Sequence, residues 1–364
     1  MFFLIPPFWL PPAWLLRPLF LFRWLKWPWS KPSPPILQTL LPPQPAPLKG
    51  VTALVTGSSA GIGKEIARQL HAQGANVIIS GRDKTRCDAA IKDIKSTSSG
   101  TGILEVVPVD LSNFQSVRDA AKILADKPIN FLFLNAGMVY TSSSGPWLTT
   151  NGLDFLMASN FFGHFLLTNL LLPPLQKSKA LRRVVITSSI AHWFGNTEHL
   201  FRLNHSLEKG TFAETFEVYG TSKLANLLHA YELQRRLKAE GSDVAVIPVT
   251  PGLVATEIMN ASRSDSAPAI HYWCSNENPA AVAVTRGAET ALAAAFSPKP
   301  APPLTFCVPY LFPPVPKSLR TRAVLLLEAL QKLTWGPRFA RSSPESYDKD
   351  LARRLWEHAE KMVA

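Results

Sequence analysis

The sequence predicts an α/β fold: one domain on a doubly wound parallel sheet, preceded by an apolar tail rich in proline and tryptophan. Three observations point there. Short, wholly apolar runs recur along the chain, the pattern of strands buried on both faces. They alternate with longer segments of helical spacing, as the crossovers of a parallel sheet require. The first apolar run ends in a glycine-rich turn that leads directly into a helix. At 364 residues, 46% hydrophobic and 18% charged, the chain is too apolar to be disordered as a whole and long enough for one large α/β domain or two small ones. No internal repeat interrupts the rhythm.

The elements follow in order. VTALVTG (51–57) is the first strand. GIGKEIARQLHAQG (61–74) sets Ile62, Ile66 and Leu70 at helical spacing and stops on glycine. NVIIS (76–80) is a second strand, and DKTRCDAAIKDIKS a polar helix with Asp83 as its N-cap. ILEVVPVDL (103–111) is a third strand and INFLFLNAG (129–137) a fourth. A long helix covers roughly 150–176. RRVVITSS (182–189) is a fifth strand, 217–240 a helix, VAVIPV (244–249) a sixth strand and TFCVPY a last one. Apolar residues at 319, 323, 326, 327, 330 and 333 make 319–335 an amphipathic helix. Two uses fit it: core or dimer packing, and a lid or membrane-facing helix beside an apolar entrance.

Residues 1–50 differ from the rest. They hold thirteen of the 32 prolines, and five basic residues (Arg17, Arg23, Lys26, Lys31, Lys49) with no acid. Residues 1–31 form an apolar, basic tail carrying five of the ten tryptophans. Repeated prolines chop it, so it lacks the roughly 20 unbroken apolar residues of a spanning helix. Its bases follow the apolar part, unlike a secretory signal. Tryptophan and basic side chains favour the headgroup zone. The tail therefore reads best as a monotopic anchor to a membrane surface, at the endoplasmic reticulum or a lipid droplet, with the remaining domain facing the cytosol. An organelle import peptide and a misassigned start of translation are the alternatives. Residues 32–49 read as a proline-rich linker, and 50–364 as the folded domain.

Several functional classes drop out. The net charge of +12 suggests nucleic acid, but part of the excess lies in the tail and no binding motif accompanies it; no nucleic-acid partner is expected. Cys87, Cys274 and Cys307 are too scattered for a disulfide scaffold. The eight histidines lack ligand spacing, so no metal is expected. His164 and His192 lie near the segments discussed below and read as packing or hydrogen-bonding residues.

Chemistry concentrates in two places. Thr56-Gly57-Ser58-Ser59-Ala60-Gly61-Ile62-Gly63 lies between strand and helix. Glycines there allow a sharp turn and close approach to a pyrophosphate, which the helix N-terminus then faces. After the second strand comes Ser80-Gly81-Arg82. An acid at the Gly81 position would hold an adenosine ribose; Arg82 instead suits a 2′-phosphate, with Lys64 and Arg86 adding charge. The second place is Tyr219-Gly220-Thr221-Ser222-Lys223. Residues i and i+4 share a helix face, and a lysine one turn from a tyrosine favours the phenolate, making a usable acid–base group. The preceding strand ends Thr187-Ser188-Ser189, offering a hydroxyl to a substrate oxygen.

Together TGSSAGIG, Asp110-Leu111, Asn135-Ala136-Gly137, Asn160, Ser189, Tyr219/Lys223 and Pro251-Gly252 resemble the short-chain dehydrogenase/reductase family, of the non-extended type. NFFGHFLLT (160–168), SSIAHW (188–193), SKLANLL (222–228) and the terminal YDKDLARRLWEHAEKMV are similar to its retinol dehydrogenase branch. The likeness runs from about Val51 to the C-terminus and is weakest at 297–340. It implies a Rossmann-type fold. It also implies a set of roles. Tyr219 transfers a proton, Lys223 lowers its pKa and binds the nicotinamide ribose, and Ser189 orients the reacting oxygen. Of the two serines before Ile190, alignment with the family favours Ser189. Asn160 helps hold a relay water. Gly57, Ser59, Gly61, Ile62 and Gly63 cradle the cofactor, Arg82 takes its 2′-phosphate, and Asp110 and Leu111 flank the adenine. Asn135, with Ala136 and Gly137, lies by the adenosine ribose, and Thr256, after Pro251-Gly252, by the nicotinamide amide. The 30 residues from Ser189 to Tyr219 exceed the spacing of compact members and fit the retinol dehydrogenase and carbonyl reductase members. The expected protein is an NADP(H)-dependent oxidoreductase acting on an apolar small molecule (a retinoid, steroid or fatty aldehyde), with a homodimer compatible. The rival is a membrane-associated NADPH-binding scaffold or sensor of the same fold without turnover.

Overall fold

The computed structural model describes residues 40–41, 46–139, 148–178, 181–202, 212–256, 258, 281–297, 306–308 and 338–364. The tail, most of the linker and the helix expected at 319–335 lie outside the described residues. Pro35–Ala364 form one compact unit.

Eight strands form one sheet: β1 (Thr52–Thr56), β2 (Asn76–Ser80), β3 (Leu104–Val106), β4 (Phe131–Leu134), β5 (Arg183–Thr187), β6 (Ala245–Val249), β7 (Phe306–Val308) and β8 (Arg338–Ala340). Their spatial order is β3-β2-β1-β4-β5-β6-β7-β8. All pairings are parallel except the last, β7 with β8. The chain therefore runs outward from β1 to β3, returns to place β4 beside β1, and continues the other way. That reversal opens a crevice at the carboxyl ends of β1 and β4, where ligands of open α/β sheets bind.

The period of two along each strand divides the core. Ala53, Val55, Phe131, Phe133, Val185, Ile247 and Val249 point to one face, with Ile66, Leu70, Leu292 and Phe296 packed on them. Those residues come from α1 (Gly61–Ala72) and, further on, Val284–Phe296. α2 (Lys84–Thr97) covers the same face through Cys87 and Ile94. Leu54, Leu132, Leu134, Val184, Ile186 and Val246 point to the opposite face. There they meet α3 (Phe114–Leu124), α4 (Phe155–Lys177) and α5 (Phe212–Ala239). By length and composition α4 is apolar enough to cross a membrane, but 72% of its most apolar window is buried in this layer. The Val284–Phe296 segment is α6.

Differences from the sequence reading are local. β3 and β4 are shorter than 103–111 and 129–137. The helix expected at 150–176 begins at Phe155, and Ala158–Phe162 within it is a π turn. α5 begins before 217. Asp83 caps α2, its carboxylate accepting from Arg86 N at 3.1 Å. α3, α6, β8 and the terminal helix α7 (Lys349–Val363) are additional to the elements read from the sequence.

α7 closes the second face. Leu351, Ala352, Leu355, Trp356, Ala359 and Val363 are buried on it. The Trp356 ring meets Phe165 of α4 edge-on at 4.8 Å, and the Arg236 guanidinium of α5 lies 4.4 Å over it. Arg118 of α3 donates to the carbonyl oxygens of Val363 and Ala364. Trp356→Ala should therefore lower the free energy of unfolding by about 3–5 kcal/mol, read from urea denaturation of the intact chain.

Candidate active site

The candidate residues gather at one edge of the sheet because they follow the carboxyl ends of its strands. Gly57, Ser59, Gly61, Ile62 and Gly63 come after β1, and Arg82 after β2. Asp110 and Leu111 follow β3. Asn135, Ala136 and Gly137 follow β4, Ser189 follows β5, and Pro251, Gly252 and Thr256 follow β6. Asn160, Tyr219 and Lys223 approach from α4 and α5.

The turn after β1 is tightly built. An added Cβ on Gly63 would lie 2.4 Å from the Gly57 carbonyl oxygen and 2.6 Å from Asn135 Nδ2, so only glycine lets α1 sit this close to the end of β4. A Cβ on Gly61 would approach Thr256 at 3.7 Å, which brings the segment after β6 to the same turn. Ile62 borders Gly287 of α6. α1 starts at Ala60 with no side-chain cap and no acid in its first turn. Its first amide N–H groups thus have no side-chain cap, as a helix N-terminus open to an anion requires. Thr56 links the two central strands. Its hydroxyl oxygen accepts from Asn135 N at 2.9 Å and Ala136 N at 3.0 Å, and Asn135 Nδ2 donates to Thr56 O at 3.0 Å.

Beyond β2, Arg82 is exposed. A Cβ on Gly81 would meet Cys87 Sγ at 3.2 Å and Ser59 Oγ at 3.5 Å, leaving little room for a side chain there. Lys64 is turned to Asp93 at 3.1 Å. The Asp110 carboxylate accepts from Ser112 N and Oγ at 2.9 and 2.7 Å, which fixes the loop bearing the buried Leu111. Gly252 closes the turn after β6, its N–H 3.5 Å from Thr250 Oγ1.

Lys223 is the most strongly shaped group. It is 2% exposed, and its Nζ lies 5.5 Å from the Tyr219 ring centroid and 3.4 Å from Thr187 O. A Cβ on Gly137 would come within 3.0 Å of that Nζ, so the bare Gly137 backbone is what admits the ammonium. Burial pushes its pKa down to about 8. Tyr219 is half-buried, its ring 6.2 Å from that of Phe216. Ser188 is buried and its hydroxyl donates to Lys223 O at 2.8 Å. Ser189 is half-buried, and its hydroxyl accepts from Ala191 N at 3.2 Å. Asn160 is buried in the π turn. Its Oδ1 accepts from Met138 N at 2.9 Å, and its Nδ2 donates to Met138 O and Ser222 Oγ, each at 3.0 Å. Ser222 Oγ donates in turn to Tyr219 O at 2.7 Å.

Residues 51–198 match the short chain dehydrogenase family. Human retinol dehydrogenase 13 is 32% identical over 329 residues, 88% of this chain and 87% of that protein. The chain is a short-chain dehydrogenase/reductase. Its likeness falls in the retinol dehydrogenase branch. A solved structure of an uncharacterised Mycobacterium paratuberculosis protein aligns over 87% of this chain and 94% of its own, with a TM-score of 0.62 and 29% identity. A 3-oxoacyl (acyl-carrier-protein) reductase from Agrobacterium tumefaciens, described with NADP bound, aligns over 68% and 88%, with a TM-score of 0.50 and 26% identity.

The candidate site includes residues that the motifs alone do not single out. Thr56 and Ser222 supply hydroxyls to the network, and both lie inside motif strings as unremarked positions. His164 and His192 hydrogen-bond within it. His192 Nδ1 is 2.7 Å from Ser189 O, and its Nε2 accepts from Ser343 N at 3.0 Å. Among the described residues no cluster of three or more His, Cys, Asp or Glu could hold a metal.

Asp154 caps the helix that carries Asn160, accepting from Met157 N at 2.8 Å. Burial dominates and raises its carboxyl to about 6, against the opposing bonds from Met157 and Leu156. Because the folded value lies above the unfolded one, stability from this group is complete below about pH 4 and is lost as pH rises through about 6. Asp154→Asn keeps the acceptor without the charge. It should be more stable than the parent at pH 7, by up to about 3 kcal/mol, and indistinguishable from it near pH 4, as read from thermal unfolding across pH.

Proposed function

We propose that this oxidoreductase uses NADP(H) to interconvert an apolar alcohol and its aldehyde or ketone, of the retinoid, steroid or fatty aldehyde class. The observation that carries the proposal is the buried Lys223 ammonium, one helical turn from Tyr219 and bordered by Gly137. Such a cation has little reason to be buried there other than to act on its neighbours.

The residues fit a dinucleotide. The glycine turn and the uncapped start of α1 make a cradle for a pyrophosphate. Gly81 leaves no acid for an adenosine ribose, and Arg82 offers a planar, permanently charged partner for a 2′-phosphate. Asp110 and Leu111 would border the adenine, Asn135 to Gly137 the adenosine ribose, and Thr256 with Pro251-Gly252 the nicotinamide amide. The NADP described in the Agrobacterium reductase supports the same choice. Bound cofactor supplies or accepts the hydride. The chain does the rest. Ser189 and Tyr219 hold the reacting oxygen, and Tyr219 gives it a proton on reduction or takes one on oxidation. Lys223 favours the ionised phenol and would bind the nicotinamide ribose. Asn160 braces Met138 and Ser222 around them and helps hold a relay water. Because cells keep NADPH reduced, Arg82 favours reduction. The retinol dehydrogenase relative, and a tail suited to a lipid surface, support an apolar substrate.

The deciding experiment is NADPH oxidation by detergent-solubilised full-length protein given all-trans-retinal, a steroid ketone and a long-chain aldehyde. Turnover should appear with at least one, and Tyr219→Phe should lose about 10²–10⁴ in kcat. Tight NADPH binding with no turnover on any carbonyl would refute the reading. Arg82→Ala should weaken NADPH about tenfold to a hundredfold, the loss of about 1.5–3 kcal/mol in charged hydrogen bonds. NADH should change little in the same titration; equal loss of both would refute the 2′-phosphate assignment.

A further inference from the structure

One buried histidine stands between the two halves of the site. His164 lies one turn after Asn160 on α4 and is 1% exposed. Its Nδ1 is 3.1 Å from Asn160 O and its Nε2 2.9 Å from Thr56 Oγ1. A carbonyl oxygen only accepts, so Nδ1 carries the proton and Nε2 is the bare nitrogen. The Thr56 hydroxyl then donates to Nε2, the nearer of two acceptors (the Phe133 carbonyl oxygen lies at 3.3 Å), while its oxygen accepts from Asn135 N and Ala136 N. Asn160 continues the chain through Nδ2 to Ser222 Oγ, and Ser222 donates to Tyr219 O. Hydrogen bonds thus link the loop after β4, through one imidazole and then through the covalent frame of Asn160 from its backbone carbonyl to its side-chain amide, to the helical turn that bears Tyr219. Burial pushes the ring's pKa down to about 4, and the positive charge of Lys223 acts in the same direction, so at neutral pH the ring has the protonation the bridge needs.

The geometry points to His164 as a positioning residue for the reaction: its neutral imidazole fixes the spacing between the Asn135–Gly137 loop, whose Gly137 backs the Lys223 ammonium, and the turn bearing Tyr219. The inference rests on the reductase reading above. Its physical basis is that a displacement of about 1 Å between reacting groups costs up to about 10²-fold in rate. A histidine that bridges β1 to the π turn controls such a displacement without touching the substrate. The π turn adds to the case. Such turns free a helix from its regular register, and this one leaves Asn160 O bonded to an imidazole.

The test compares the full-length wild type with His164→Phe, which keeps a ring of similar size and loses both nitrogens. The variant should lose about tenfold to a hundredfold in kcat while binding NADPH within about threefold of wild type. The primary isotope effect from NADPH deuterated at C4 should rise, since hydride transfer becomes limiting. A lower fraction of folded enzyme would leave that isotope effect unchanged. Thr56→Val breaks the other end of the bridge, and the double variant should lose no more than the worse single one, as coupled groups do. Wild-type kcat and isotope effect in His164→Phe, or fully additive losses in the double variant, would overturn the inference. A readout independent of turnover and of the variants' folding is 15N-histidine NMR of the wild-type NADPH complex. One ring, assigned by its absence from His164→Gln, should stay neutral with its proton on Nδ1 from about pH 5 to 8. A protonated ring, or a proton on Nε2, would overturn the inference. If wild type bound NADPH and reduced nothing, the reductase reading would fall, and the NMR result alone would support or overturn the bridge.

Discussion

Thr56 sits where β1 ends, and its hydroxyl is the point at which three parts of the structure meet. In a sheet covered on both faces, the last amides of each strand have no water to turn to. Here two of them, at Asn135 and Ala136, converge on Thr56 Oγ1. That pins β1 to the loop beyond β4 and sets the width of the crevice. Gly63 is then driven against Gly57 and Asn135 because the spacing is already fixed. The same hydroxyl reaches α4 through His164, so the covering helix is registered to the sheet by a polar contact inside an otherwise apolar interface. A single side chain satisfies all three because threonine combines one donor with two acceptor lone pairs.

The sequence makes the central strands plain and the periphery less so. β1, β2, β5 and β6 are buried on both faces, so an apolar run and a strand coincide to within a residue or two. At the edge the correspondence weakens. Val107 N and Val109 N still bond to Ile79 O and Gly81 O, but the chain after Val106 has left regular pairing, which hydrophobicity does not register. The π turn is invisible for a related reason, since it changes hydrogen-bond partners without changing which side chains are apolar. The site divides the same way. Tyr219 and Lys223 announce themselves because four residues of spacing on a helix is local information. His164 and Thr56 are 108 positions apart, and nothing in either neighbourhood says that they touch.

The segment before the terminal helix reaches back to the site. Ser343 N donates to His192, which holds the Ser189 carbonyl. Ser342 bonds to Tyr231 of α5 and to Tyr347, and the Tyr231 and Tyr347 rings stack at 5.5 Å. Two elements of the candidate site, the strand end at Ser189 and helix α5, are thus braced by residues more than 100 positions away. These contacts are to backbone or to packed hydroxyls, which makes them geometric supports whose side chains stay clear of the reacting oxygen.

α7 gives this arrangement an order in time. It is the last of the described elements to leave the ribosome, and its Trp356 covers the stretch of α4 and α5 around Phe165 and Arg236. Until it emerges, a nascent chain with its central sheet already formed displays that apolar stretch to solvent, the kind of surface that recruits chaperones and seeds aggregation. The brace behind Ser189 arrives in the same final interval. For this chain, completing the candidate site and concealing this apolar surface are one late event in synthesis.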